Sequence, residues 1–362
     1  MMRPNQARLD LSAARHNIAL ARELAPASKV MAVVKANAYG HGAVTMARTL
    51  EPHADALAVA CMEEALELRE AGIGAPILLL EGVFEPDELA VAAKAGLWIT
   101  IDNDTQLAWL EAARLARPLQ CWLKVDTGMH RLGVAPARAA ELCQRIAACR
   151  NSLGPPVLIT HFACADELEN DATRRQIALF EDCGAGLAAP RSAANSPAVL
   201  AWPEAHYDWI RPGYMLWGHS PFGTRPQPNA DRLRPVMTLC SAVISVREVA
   251  AGEAVGYGAS WVAKRPSRIA TVTVGYGDGY PRTAASGTPV LVNGQRAALA
   301  GRVSMDMITV DVTDIGPVRL GDPVVLWGEG LPVAEVAEPA KTIGYELLTR
   351  MPMRTPRVVA RD

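Results

Sequence analysis

One rhythm constrains this chain more than any other feature. From about residue 29 to about residue 230, short apolar runs alternate with amphipathic segments. KVMAVVKA precedes GAVTMARTLEP, ADALAVAC precedes MEEALELREAG, and PILLLEG precedes PDELAVAAKAG. LWITIDN, QCWLKVDTG and PPVLITHFACA each lead into a further amphipathic stretch, and the weaker runs PRSAANS and HYDWIRPG end the series. The apolar runs are of strand length and their partners carry helical periodicity. Such pairs are βα units, which imply parallel pairing with both faces of the sheet covered. Roughly eight units within about 200 residues fit a closed (β/α)8 barrel better than an open sheet. The open, dinucleotide-binding alternative also lacks its glycine fingerprint GxGxxG after the first strand.

After about residue 232 the pattern changes. MTLCSAVISVREVAAGEAVGYG, SRIATVTVGYGDG, TPVLVNGQRAALAGRVSMDMITVDV and GDPVVLWG are strand-like and broken by Gly, Pro and Asp turns. The fold class is therefore α/β, a TIM-like barrel over residues 11–232 followed by a mainly β domain over 233–362. Residues 1–10 are expected to form a strand that joins the C-terminal domain.

Charge excludes some partners. The 36 basic and 38 acidic residues leave a formal net charge of -2, which gives no reason to expect nucleic acid or an anionic membrane. No apolar run is long enough to span a bilayer. The opening MMRPNQARLDLSAARHNIALARELA lacks the apolar core of a signal peptide. The expectation is a cytoplasmic protein. Its seven cysteines, Cys61, Cys121, Cys143, Cys149, Cys164, Cys183 and Cys240, include no CxxC pair and read as reduced thiols, with no metal site.

In a barrel the C-terminal ends of the strands carry the active site. That rule selects Lys35 and Tyr39, the KVDTGMHR stretch from Lys124 to Arg131, His161, Asn195 with Ser196, and Arg211 to Gly213. Singly, a strand-end lysine is more often solvated and a lone histidine more often structural. Together they suit an anionic, aldehyde-bearing cofactor. A desolvated Lys35 can form a Schiff base, and Ser196 with the amides near Gly213 can hold a phosphate. Arg211 can face a pyridine nitrogen, and Arg131 can pair with a substrate carboxylate. Asp126 reads either as a turn residue or as a partner that orients Arg131. Asn37, His41 and the glycines after Lys35 are expected to shape the turn presenting Lys35 and Tyr39.

VVKANAYGHG, LKVDTGMHRLG, THFACADE, AANSPA, RPG, VGYGASW, GYGDGYPR, GRVSMDM and TIGYELL follow one another across both domains. In that order they resemble the motifs of the bacterial alanine racemases, fold type III pyridoxal 5'-phosphate enzymes. The resemblance implies that Lys35 carries the cofactor and acts as one catalytic base, with Tyr257 as the opposite base. In the family that tyrosine arrives from the other subunit, so a homodimer is expected. Tyr39, Ser196, Gly213 and Tyr345 match phosphate-binding positions, with Asn195 in the same cofactor-binding set. Arg211 matches the arginine at the ring nitrogen, and His161 the residue linking it to the catalytic tyrosine. Arg131 and the Met305 backbone N–H match the groups that hold the substrate carboxylate. Tyr276, Arg282 and Asp306 match positions near the entrance and the dimer contact, and Lys124 aligns with a lysine carbamylated in some members.

The implied reaction interconverts L-alanine and D-alanine, supplying D-alanine for peptidoglycan or feeding alanine catabolism. Trp217 stands where many relatives have tyrosine. A decarboxylase on the same scaffold would pair its lysine with a C-terminal cysteine and an acidic ring-nitrogen partner, where this chain has Tyr257 and Arg211. A single-barrel cofactor carrier would lack the second domain.

Overall fold

The computed structural model describes residues 3–360. Strand β1 (Gln6–Leu9) comes first, followed by eight strands that close a parallel barrel in sequence order. These are β2 (Lys29–Val33), β3 (Ala56–Val59), β4 (Ile77–Leu79), β5 (Leu97–Ile101), β6 (Cys121–Lys124), β7 (Val157–Ile159), β8 (Arg191–Ser192) and β9 (Trp209–Ile210). Closure is direct, with Lys29 and Val30 of β2 registered against Trp209 and Ile210 of β9. The shortness of β8 and β9 matches the weak apolar signal of the last two runs.

The barrel interior is plugged at the N-terminal ends of its strands. Trp98, Trp122 and Trp209 meet there with ring centroids 5.6–6.1 Å apart. Trp209 meets the other two rings edge-on while Trp98 and Trp122 stack, both arrangements that large aromatic rings favour. Lys29 caps the cluster with its ammonium 5.2 Å from the Trp209 ring. With the floor filled, the only end left to shape a site is the one where the βα loops converge.

The second domain begins with β10 (Met237–Val249) and the short β11 (Ala254–Val255), β12 (Trp261–Val262), then β13 (Ser267–Val272). It continues through β14 (Pro289–Val292), β15 (Gln295–Leu299), β16 (Ile308–Asp311), β17 (Pro323–Trp327) and β18 (Arg357–Val359). Its main sheet runs in the order β13-β16-β15-β14-β17-β10-β1-β18, and β13 also pairs with β10. Six strands therefore close into a second, smaller barrel. The long β10 makes this possible because its register shifts between Val243 and Ser245, and such a bulge bends one strand into two pairings. β1 pairs antiparallel with β10 and parallel with β18. The small hairpin β11–β12 stands apart from this sheet and carries Tyr257 at its tip.

Candidate active site

The chain leaves β2 in an unusual way. Ala36, Asn37, Ala38 and Tyr39 all have φ between 50° and 54°, and Gly40 follows at 81°. Four consecutive non-glycine residues thus make a left-handed turn, a conformation costing about 1–2 kcal/mol per residue. The surroundings hold it. Glu64 accepts hydrogen bonds from the amides of Ala36 (2.6 Å) and Ala60 (2.8 Å), and Asn37 Oδ1 accepts from the Ala43 amide at 2.7 Å. His41 Nδ1 lies 3.0 Å from the carbonyls of both Ala38 and Tyr39, so it is the protonated nitrogen and donates. Burial pushes this imidazole down to about 4, which keeps it neutral. A Cβ on Gly40 would lie 2.0 Å from the Leu348 carbonyl oxygen, so only glycine fits.

That turn sends both Lys35 and Tyr39 into a cavity of about 980 Å³ at the mouth of the barrel. Lys124, Arg131, His161, Asn195, Ser196, Arg211, Gly213 and Tyr345 line the same cavity. One side suits a phosphate. The buried Ser196 Oγ accepts from the amides of Gly213 (3.0 Å) and Met215 (3.2 Å). A Cβ on Gly213 would sit 2.6 Å from Tyr39 Oη, so the phenol and the bare backbone are closely matched. Tyr345 stacks on Tyr214 at 3.6 Å with the rings 9° apart, and Tyr39 leans on both Tyr345 and Trp217. Trp217 in turn stacks on His41, 4.8 Å between centroids. Its larger ring supports the left-handed turn from below.

The other side is rich in cations. Arg211 is buried and its guanidinium donates to neutral oxygens: Ser192 Oγ and the Thr160 carbonyl, each at 2.5 Å, and the Ala193 carbonyl at 3.3 Å. Burial pulls it down to about 9. Burial also lowers Lys124 to about 8, with Arg211 and Arg131 adding to the effect and Asp102 opposing it. Lys35 is lowered chiefly by burial, against the attraction of Glu81. His161 is driven well below its usual range by burial and then by the Arg211 and Lys124 charges. An amine in such a place loses its proton more readily than in water and becomes a usable nucleophile or base.

The remaining sequence candidates are elsewhere. Tyr257 is 71% exposed at the hairpin tip, Met305 53% and Tyr276 41%. Arg282 is exposed, and Asp306 forms an ion pair with Arg354. None of the five lines the cavity. Within one chain the expected site is therefore in two pieces, a buried cavity and a group of exposed loops. The turn that offers Tyr257 is built for presentation, since Gly256 and Gly258 have φ near 75° and 72°, and Ala259 has 47°.

Some contacts were not legible in the sequence. Glu64, the Met215 amide and Tyr214 gave no motif signal of their own, although Tyr214 directly follows RPG. Asp126 takes the turn role, accepting from the Gly128 and His130 amides and from His130 Nδ1. Arg211 reaches Ser192 and the backbone; among the described residues it makes no hydrogen bond to the His161 ring.

Comparison with known proteins bears on both halves. Residues 9–221 match the alanine racemase N-terminal domain, and residues 236–359 the alanine racemase C-terminal domain. The chain belongs to the alanine racemase family. A Pseudomonas putida protein named "alanine racemase, catabolic" is 54% identical over 356 residues, covering 98% of this chain and 99% of that protein. An Escherichia coli protein named "alanine racemase, biosynthetic" is 52% identical, over 94% of this chain and 95% of that one. The crystal structure of biosynthetic alanine racemase from Pseudomonas aeruginosa superposes with a TM-score of 0.95 at 51% identity, covering 99% of this chain and 100% of that one. The cavity and the exposed loops thus both fall within regions matched to alanine racemases, over nearly the whole length.

Proposed function

We propose that this family member interconverts L-alanine and D-alanine by a two-base reaction with pyridoxal 5'-phosphate as cofactor. The observation that carries the reading is the cavity itself, where Lys35, Lys124, Arg131 and Arg211 converge beside Ser196, whose Oγ is fixed by the amides of Gly213 and Met215. Such an excess of cations over a tyrosine-lined pocket fits a ligand bearing a phosphate and a substrate bearing a carboxylate.

The residues divide the work. Tyr39, Ser196, Gly213 and Tyr345 would hold the phosphate, with Asn195 beside them. Lys35 would hold the aldehyde carbon, and Arg211 the ring nitrogen. The cofactor, when bound, supplies an electron sink for the charge left on the substrate's Cα as its proton departs. Arg131 and the Met305 N–H fix the substrate carboxylate, so the Cα–H bond points at one base or the other. Lys35 Nζ moves the proton on one face, helped by its lowered basicity. Tyr257 Oη moves it on the opposite face. Two bases on opposite faces require no reorientation of the substrate between removal and return.

His161 is kept neutral by its surroundings and supports the cavity wall beside Arg211. Arg211 stays a cation that gives no proton to the ring nitrogen, which limits how far charge spreads and disfavours side reactions. Lys124, poised near 8, is a residue that carbamylation would turn into an anion able to orient Arg131. Tyr257, Met305, Tyr276, Arg282 and Asp306 act on the cavity of a second copy, which makes the working unit a homodimer. The barrel (11–232) then binds the cofactor while the β domain (233–362), with residues 1–10, supplies the second base. All seven cysteines are free, which suits a cytoplasmic enzyme.

The test is an assay of purified protein against single enantiomers of a panel of amino acids, with the cofactor's visible absorbance recorded. Alanine should racemise in both directions and the protein should be coloured. Colourless protein without racemisation would sink the reading.

A further inference from the structure

The loops outside the cavity are not loose. Asp278 lies between them, and its side chain is 1% exposed. Arg3 donates to both its carboxylate oxygens, at 2.6 and 2.9 Å, and Arg354 Nε approaches at 3.2 Å. The Gly275 amide donates to Oδ2 at 2.9 Å, and Thr355 Oγ1 donates to the Asp278 carbonyl at 2.9 Å. The same two arginines reach the neighbouring loop. Arg3 also donates to the Asp306 carbonyl at 2.8 Å, and Arg354 pairs with the Asp306 carboxylate. Between the loops, the Tyr276 amide donates to Ser304 O (3.0 Å) and the Gly277 amide to Met305 O (2.9 Å). Gly275 has no room for a side chain, since a Cβ would meet the carbonyl oxygens of Ser304 and Met305 at 2.3 Å. One buried carboxylate thus joins the N-terminal segment, the C-terminal segment and the two loops that bear Tyr276 and Met305.

We propose that Asp278, with Arg3 and Arg354, is a positioning residue that fixes the Met305 backbone for substrate binding in the partner's cavity. The inference rests on the two-subunit reading given above. A carboxylate with two guanidiniums and an amide has all its acceptor sites directed, so the loops it joins have one arrangement. The Met305 amide is a backbone group, and only its loop can place it. Without the Asp278 carboxylate the loops keep their two backbone bonds and the contacts of Arg3 and Arg354 with Asp306, but the two guanidiniums lose the anion that fixes them against each other. An amide displaced by a fraction of an ångström then meets the substrate carboxylate poorly while both bases stay in place.

The experiment uses the cofactor-loaded enzyme. Asp278→Asn should raise KM for both alanine enantiomers roughly 10-fold, with kcat and cofactor absorbance close to wild type. Arg3→Met, which leaves Arg354 on the carboxylate, should move KM the same way by less and serves if Asp278→Asn fails to fold. Mixed dimers locate the effect. Asp278→Asn chains paired with Lys35→Ala chains leave one live cavity, served by wild-type loops, and its KM should be normal. Wild-type chains paired with the Lys35→Ala, Asp278→Asn double variant leave one live cavity served by altered loops, and its KM should be raised. An unchanged KM in both variants, or a raised KM in the first mixed dimer once it is separated from the homodimers, overturns the proposal. If Lys35→Ala and Tyr257→Phe chains show no activity on mixing, the two-subunit reading falls, and the positioning role with it.

Discussion

The cavity and the exposed loops have nearly opposite designs. In the cavity, each group is held by several neighbours: the Lys35 turn by Glu64, Asn37 and His41, and Ser196 by two amides. The Met305 loop is tied to Asp278 through Arg3 and Arg354, and Tyr257 stands on a separate hairpin, yet both side chains face outward, Tyr257 at 71% and Met305 at 53% exposure. A large apolar side chain on a rigid turn is an arrangement awaiting a surface. On the reading proposed above, the contrast separates what one chain would complete, cofactor binding, from what would need a second copy, proton transfer on the other face.

The largest effect comes from separating the halves. Lys35→Ala and Tyr257→Phe homodimers should each lose roughly 10²–10⁴-fold in racemisation. Tyr257→Phe should still bind cofactor and should suppress α-proton exchange from one enantiomer far more than from the other. Random reassortment of the two inactive proteins should then restore about a quarter of wild-type activity, because half the dimers regain one of two sites. Equal losses from both enantiomers, or no recovery, would break the division.

A smaller effect is confined to the cavity. Gly213→Ala places a methyl 2.6 Å from Tyr39 Oη, an overpacking of about 1–3 kcal/mol. Cofactor affinity, followed by absorbance during dialysis, should fall roughly 10-fold or more. Saturating cofactor should recover most of the turnover, since the loops are untouched. Failure to recover it would show that the cradle also positions substrate.

The smallest effect is on stability. Lys124 is held near 8 in the folded chain, against about 10.4 unfolded. Its folded state therefore disfavours the proton. The buried ammonium destabilises the cofactor-free fold fully below pH 8, and that penalty fades as pH rises towards 10.4. In CO2-free buffer, Lys124→Met should match or exceed wild type in urea unfolding at pH 7. The gap should narrow by pH 10, and a constant gap would refute the assignment.

Much of this was legible in the sequence because both signals are periodic or local. Alternating apolar runs specify βα units, and the strand-end rule then collects Lys35, Lys124, His161, Ser196 and Arg211 without any knowledge of contacts. Glu64 escaped notice because an acidic residue near a helix start looks like ordinary capping. The left-handed turn was equally hidden, since ANAY contains no residue that demands positive φ, and only Gly40 hints at it. Asp278, in GYGDGY, reads as a turn residue until Arg3 and Arg354 are seen to converge on it from opposite ends of the chain.

By itself the sequence determined the barrel, the β domain and the residue types that gather at the barrel mouth, because strand and helix periods are set by neighbours along the chain. Tertiary structure alone decided that ANAY winds left-handed and that Lys35, Lys124, Arg131, Arg211 and Arg350 share one cavity. It also decided that Tyr257 and Met305 lie outside that cavity in their own chain. Those outcomes depend on groups tens to hundreds of residues apart, whose burial and charge act only once the fold has brought them within a few ångströms.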